Sequence, residues 1–303
     1  MKKNVLIIGF GSIGRRHAKL LKANSRINKI YILTKQNCKP YVKINSIKNV
    51  SSLDIDYAII SSPTSNHFEQ LKFLEKILRK KIILIEKPLF EKNRKFNVKN
   101  NKVYVGYNMR FNPLIQLIKD KVKNKKIWSV NIFCGSYLPN WRKNINYKNS
   151  SSAKKQMGGG VLLDLSHELD YIQWIFGKIK INHVISKKVS NLKINTDDFL
   201  SLSGTSNRST SVQLDLNYFT KKTTRRIIID GEDISINADL IEKNIYISEK
   251  NNKQKFLKKD FNRGQSYIKQ HQAILRKDNI NCCTFNEAVN TMKLVEKIRK
   301  FKK

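Results

Sequence analysis

Acidic residues are the first shortage. Only 23 aspartates and glutamates face 60 lysines and arginines in a chain of 303 residues, a formal charge of +37. Such an excess raises nucleic acid or an anionic surface as a partner. The basic residues are nevertheless spread over nearly the whole chain among many asparagines, as in plain solvation by a lysine-rich composition. No nucleic acid is therefore expected, although the field would attract a phosphorylated cofactor or an acidic sugar. Cysteine is also scarce: Cys38, Cys134, Cys282 and Cys283 form neither a CxxC pair nor a metal-ligand spacing, which fits a reduced, cytoplasmic setting. Long apolar runs are missing. No segment approaches the roughly 20 residues that cross a bilayer, and the opening MKKNVLIIGFG runs into glycines without a processing site. No membrane partner is expected, and there is no internal repeat or low-complexity domain.

The chain is long enough for two domains. Residues 3–8 read as a buried parallel strand and residues 12–24 as a helix, with Gly9, Gly11 and Gly14 between and within them. In that setting Gly9 makes the tight turn, Gly11 lets backbone approach a pyrophosphate, and Gly14 permits close helix-to-strand packing. The helix N-terminus would hold the phosphates. A second strand over residues 29–34 ends in Thr34, Lys35 and Gln36, without the acid that usually accepts from the ribose hydroxyls of NAD. Thr34, with Lys35 and Arg15 or Arg16, would suit a 2′-phosphate, so NADP is favoured over NAD; the same residues also read as exposed side chains of a basic protein.

Two further strands, residues 56–62 and 81–85, carry their interest at their carboxyl ends, where ligands of parallel sheets gather. The first leads to Pro63, Thr64 and His67, and His67 either touches the cofactor or simply starts a surface helix. The second leads to Glu86, Lys87 and Pro88. A lysine so placed can hydrogen-bond a substrate hydroxyl and stabilise the negative charge that develops as hydride leaves the same carbon. The residues expected to line the cofactor are Gly9, Gly11, Ser12, Ile13, Gly14, Arg15, Thr34, Lys35, Ser62, Pro63, Thr64, His67 and Glu86. After Arg110, Pro113 favours a break at Asn112 and a helix beginning near Leu114. That divides the chain into a Rossmann dinucleotide-binding domain, residues 1–113, and an α+β domain, residues 114–303, built on a large, mostly antiparallel sheet with closing helices.

In the second half, the polar stretch from Pro139 to Gln156 reads either as a cover over an active site or as a flexible insertion. Trp141, Arg142 and Tyr147 would line such a cover, with Arg142 able to grip a carboxylate or phosphate. Next comes MGGGVLLDLSHELDYIQWIFG, whose glycines 158–160 permit backbone close to a ligand. A helix follows with Asp164, His167 and Asp170 at spacings of three, pointing broadly one way. His167, near a lysine and a carboxylate, can exchange a proton with a sugar hydroxyl. This trio does not reproduce a catalytic metal spacing, so no metal is expected. Residues 179–248 alternate as an antiparallel sheet, with turns expected at Asn207 and Asp230-Gly231. One free face of that sheet would make self-association plausible. Thr284 and Glu287 form a capping-box signal.

The order GFGSIG, SSPTSNH, EKP, GYNMRFNP and GGGVLLDLSHELD resembles the Gfo/Idh/MocA oxidoreductase family over nearly the full length. The resemblance implies a Rossmann domain followed by a sheet domain, assembled as a homodimer or homotetramer. It places Lys87 near the nicotinamide and makes His167 the acid/base group, assisted by Asp164 or a nearby carboxylate. The family commonly has one more residue between its aspartate and histidine than the DLSH found here, which leaves the role of Asp164 open. CGSYLPNWR with GGGVLLDLSHELDY is similar to members associated with bacterial surface carbohydrates and acidic sugars. That implies a sugar or nucleotide-sugar substrate, with Arg110, Trp141, Arg142 and Asp164 binding it. The competing class is a non-catalytic nucleotide-binding regulator or scaffold on the same fold; both Lys87 and His167 are present, which weighs against it.

Overall fold

The computed structural model describes residues 2–142, 146–250 and 253–301. The chain divides into two compact units, Met1–Asn108 with Tyr267–Val289, and Met109–Ser266 with Asn290–Lys303. The sequence assigned everything after Pro113 to the second domain, whereas Tyr267–Val289 returns to the first unit. The apolar stripe of a late helix states that it must be covered but not which sheet covers it.

The first unit contains β1 (Lys3–Ile8), α1 (Ser12–Lys22), β2 (Ile27–Leu33), β3 (Val42–Ile44), β4 (Tyr57–Ile60), α2 (His67–Ile77), β5 (Ile82–Ile85) and β6 (Lys102–Val105). The strands are parallel in the order β3-β2-β1-β4-β5-β6, and the short returning strand Cys283–Thr284 pairs antiparallel outside β6. Val5–Ile8, Tyr57–Ile60 and Ile83–Ile85 are buried on both faces, which is why these strands are uninterrupted apolar runs. Each such side chain contributes about 1.5–3 kcal/mol by leaving water. The order reverses direction between β1 and β4, so the segments after β1, β4 and β5 gather at one crevice beyond the carboxyl ends.

The second unit contains α3 (Pro113–Val122), β7 (Ile127–Gly135), α4 (Val161–Asp164), α5 (Ser166–Phe176), β8 (Ile179–Lys187), β9 (Phe199–Ser206), β10 (Ser211–Asn217), β11 (Thr224–Gly231), β12 (Ile234–Asp239), β13 (Asn244–Glu249) and β14 (Lys253–Lys258). The helix α3 begins at Pro113, one residue before the expected Leu114, and the Asn112 side chain caps it by accepting from Leu114 N at 2.8 Å. The sheet order is β14-β13-β12-β11-β7-β10-β9-β8, antiparallel except for β7 with β10. Strict alternation along β9 and β12 buries one face. The opposite face leaves Phe133, Ile228, Tyr246 and Phe256 exposed, the last two with ring centroids 4.5 Å apart. The β11–β12 turn falls at Glu232–Asp233, two residues beyond the Asp230-Gly231 expectation, because both of those residues remain paired in the ladder.

The chain closes with α6 (Arg263–Arg276), β15 (Cys283–Thr284) and α7 (Phe285–Lys300). The capping box is formed: Thr284 N donates to Glu287 Oε2 at 2.9 Å, and Glu287 N donates to Thr284 Oγ1 at 3.3 Å. Among the described residues, no helix is long and apolar enough to cross a membrane.

Candidate active site

The first turn is built by close approach. Gly9 has φ +95°, and a Cβ there would lie 2.7 Å from Ser62 N; one on Gly14 would lie 2.1 Å from Gly9 O. Larger residues would push α1 off the strand ends. Gly11 differs, because a Cβ on it meets nothing within 4 Å. Gly11 is also the N-cap of α1, with no side-chain cap and no acid in the first turn. The first N–H groups of α1 thus have no side-chain acceptor and border open space, an arrangement that fits a dinucleotide pyrophosphate. Ser12 lies exposed and Ile13 half-buried on this first turn of the helix.

Beyond β2, Arg15 donates from Nη2 to Gln36 Oε1 at 2.7 Å with its guanidinium 4.4 Å over the Phe10 ring. Thr34 Oγ1 accepts from Gln36 N at 3.1 Å, and Lys35 is exposed. After β4, Ser61 Oγ donates to Gly9 O at 3.0 Å and Ser62 Oγ to Gln70 Oε1 at 2.7 Å, which ties this segment to the glycine turn and to α2. Pro63 is exposed and Thr64 half-buried beside them.

Two residues expected at the cofactor have other partners. His67 is buried, with Nδ1 3.2 Å from the carbonyls of both Pro88 and Leu89 and Nε2 3.0 Å from that of Ser62. Burial pushes its pKa down, and these carbonyls pull it back only in part. With both nitrogens facing backbone carbonyls, His67 joins the segments after β4 and β5 rather than reaching a ligand. Glu86 is likewise buried, its Oε1 2.9 Å from His17 Nε2. Lys87 follows it, half-buried, at the carboxyl end of β5.

In the second unit the expected single helix breaks at Leu165 (φ −97°, ψ 25°) into α4 and α5. The break separates the trio. Asp164, at the end of α4, accepts from Tyr218 Oη at 2.6 Å. Burial, and then Asp164, push the Tyr218 hydroxyl pKa well up, so it remains a donor. Trp141 stands edge-on to Tyr218 at 5.2 Å and donates from Nε1 to Ser136 Oγ at 3.0 Å. Trp141, Arg142 and Tyr147 line one small cavity with Leu138, Ser150 and Ser152. Residues 143–145 of the expected covering stretch lie outside the described residues. His167 is half-buried on the first turn of α5.

Arg110 and Asp170 turn to each other. Arg110 donates to Asp170 from Nε at 2.9 Å and Nη2 at 2.7 Å, both side chains are buried, and the guanidinium lies 5.1 Å over the Trp174 ring. The expectation that Arg110 binds an anionic substrate group is corrected: its fork is filled by a carboxylate of its own unit. The triple glycine is also explained by packing. A Cβ on Gly159 would lie 2.1 Å from Ser151 O, and one on Gly160 (φ +113°) 2.2 Å from Asp197 Oδ1. Asp197 accepts from Leu162 N at 2.9 Å at the start of α4; burial first, then Asp164 against that hydrogen bond, leave its carboxyl pKa raised.

Sequence reasoning overlooked Tyr218, Asp197, and the Arg225–Glu168 pair, in which Arg225 Nε donates to Glu168 Oε1 at 2.5 Å. Burial opposes the Arg225 charge, but Glu168 holds its pKa above the usual guanidinium value. It also overlooked His17 as a buried polar residue. His17 sits on the buried stripe of α1 with Gly14, Ala18 and Leu21, and a polar residue on that stripe requires a partner.

This fold and open glycine turn define a two-unit α/β protein with a dinucleotide-binding Rossmann unit. The chain belongs to the Gfo/Idh/MocA family. Residues 3–97 match the profile described as oxidoreductase family, NAD-binding Rossmann fold, and residues 115–237 match the GFO/IDH/MocA C-terminal domain. Among curated relatives it is 28% identical over 202 residues to the uncharacterized oxidoreductase YrbE of Bacillus subtilis, covering 60% of this chain and 55% of that one. It is 26% identical over 153 residues to the uncharacterized oxidoreductase sll0816 of Synechocystis, covering 48% and 41%. The chain spans about half the length of the curated relatives it matches. The fold is shared with UDP-N-acetylglucosamine 3-dehydrogenase GnnA from Acidithiobacillus ferrooxidans (TM-score 0.77, 16% identity, 99% of this chain and 97% of that one). It is shared also with levoglucosan dehydrogenase in complex with NADH and levoglucosan (TM-score 0.83, 13% identity, 99% and 97%).

Proposed function

We propose that the protein is an NAD(P)-dependent oxidoreductase acting on a hydroxyl or ketone carbon of a sugar or nucleotide sugar, in surface-carbohydrate biosynthesis. The observation that carries this reading is the uncapped start of α1 beside Gly11, in the same crevice that receives the carboxyl end of β5 and Lys87. The sugar and nucleotide-sugar dehydrogenases that share the fold support the substrate class. A bound nicotinamide supplies the hydride acceptor or donor. The residues supply the rest. Lys87 donates a hydrogen bond to the reacting oxygen and stabilises its developing negative charge. His167 takes the hydroxyl proton in oxidation and returns it in reduction. Asp164, fixed by Tyr218, orients the substrate with Trp141 and Arg142.

The absence of a carboxylate among Thr34, Lys35 and Gln36, with Arg15 held beside them, supports NADP over NAD. The exposed Phe133, Ile228, Tyr246 and Phe256 on the open sheet face support self-association through that face. The testing experiment is titration of NADPH and NADH into the purified protein, followed by nicotinamide fluorescence, and then a screen of sugars and nucleotide sugars with the tighter cofactor. Tight binding and turnover support the reading. Folded protein that binds a cofactor but turns over no sugar fits the regulator or scaffold class instead, and folded protein that binds neither cofactor overturns the reading.

A further inference from the structure

Four buried polar side chains of the first unit form one hydrogen-bonded line. Tyr57 Oη lies 3.0 Å from His271 Nδ1, His271 Nε2 lies 2.9 Å from His17 Nδ1, and His17 Nε2 lies 2.9 Å from Glu86 Oε1. The four come from β4, α6, α1 and the end of β5, and none is more than 7% exposed. The line ends one residue before Lys87.

The partners decide where the protons sit. A neutral imidazole has one N–H and one lone pair. With Glu86 Oε1 as acceptor, His17 donates from Nε2, and its Nδ1 must accept. His271 therefore donates from Nε2 and accepts at Nδ1, and the Tyr57 hydroxyl supplies the last proton. Every contact is satisfied with both histidines neutral and both protonated on Nε2. Burial holds the His271 pKa well below its ordinary value, which keeps that imidazole neutral, while burial, followed by Cys282 and Glu86, holds the Tyr57 hydroxyl well above its own, which keeps it a donor. Tyr267 stands edge-on to His17 at 5.6 Å, with the Arg16 guanidinium 5.2 Å over its ring. Burying four polar groups where apolar side chains would pack is costly unless all are satisfied, and such a chain orients its members more strictly than packing alone.

We propose that Tyr57, His271 and His17 are a positioning relay that holds Glu86, and with it the strand end carrying Lys87, in one orientation, and so control turnover without touching substrate or cofactor. The proposal rests on the assignment of Lys87 above.

Nitrogen NMR of histidine-labelled protein without cofactor tests the relay directly. His17 and His271 should both show pyrrole-type Nε2 and pyridine-type Nδ1 resonances at neutral pH. Tyr57→Phe, nearly isosteric, should move the resonances of His271 and also those of His17, while leaving His67 unchanged. In turnover, Tyr57→Phe should lower kcat roughly tenfold, with the cofactor Kd changed by no more than about twofold. Glu86→Gln, which keeps an accepting oxygen, should retain most of the activity that Glu86→Leu loses. An Nδ1–H tautomer on either histidine, His17 resonances unmoved in Tyr57→Phe, or a wild-type kcat in that variant would overturn the relay. Full activity in Lys87→Ala would instead overturn the proposed function, and the positioning role with it, while the measured tautomers stand.

Discussion

The two units bury polar groups in different ways. In the first, a sheet covered on both faces leaves only strand ends and helix stripes for polar side chains, and these are joined in neutral or singly charged lines: Tyr57 to Glu86 through two histidines, and His67 onto backbone carbonyls. In the second, a sheet covered on one face packs helices whose acids meet arginines, Asp170 with Arg110 and Glu168 with Arg225. The difference follows from architecture. Parallel strands buried on both sides admit no charge along their length, so chemistry collects where they end. An antiparallel sheet with one open face leaves that chemistry to the covering helices and the turns beside them.

The largest expected effect lies on the strand-end side of this contrast. Lys87→Ala should reduce turnover by about 10²–10⁴-fold with little change in cofactor Kd, measured by steady-state kinetics and fluorescence titration. Equal loss of binding and folding would show that the lysine is structural and erase the distinction between the units. His167→Asn should lower kcat by a similar factor and remove one limb of the pH–rate profile; a preserved profile would reject its acid/base role.

Arg110→Ala probes the ion-pair side. Removing the guanidinium from the buried Asp170 carboxylate should cost about 3–5 kcal/mol in urea unfolding. A loss below about 1 kcal/mol would mean that water readily replaces the guanidinium, as at an exposed pair.

Acidification should separate the units. His67 and His271 have pKa values below the ordinary 6.5, so the unfolded chain binds more protons as pH falls through that value. Their contribution to stability is present above about pH 6.5 and is lost below it, by up to ~1.4 kcal/mol per pH unit for each histidine. Asp197 has the opposite sign: its raised carboxyl pKa makes protonation favour the folded state as pH falls toward the ordinary 3.8. Unfolding at stepwise lower pH, with His271→Gln as a control, should find the first unit failing first. Loss of the second unit first would break the contrast.

The smallest effect concerns cofactor choice. Thr34→Asp with Lys35→Ala should shift preference toward NADH by roughly tenfold, read as the ratio of the two Kd values. An unchanged ratio would place discrimination on Arg15 and Gln36.

Much of the first unit was legible because its signals are local. GFGSIG between a strand and a helix, and EKP after a short apolar run, are patterns of neighbouring residues, and their strands and turns lie where those patterns put them. The second unit was legible as alternating strands and as Asp164 and His167 close in sequence, but not in how its groups face. The three-residue spacing of Asp164, His167 and Asp170 assumes one continuous helix, and the break at Leu165 gives the first and last different partners.

The sequence by itself determined most element types and the open glycine turn, since these depend on backbone preference and periodicity over a few residues. Only the tertiary structure decided which polar groups meet. His17 and His271 are 254 positions apart, and Arg110 and Asp170 are 60 apart. Nothing in either neighbourhood names the other, because a buried polar group must find a partner, and which partner it finds is set by what the packed elements bring within about 3 Å.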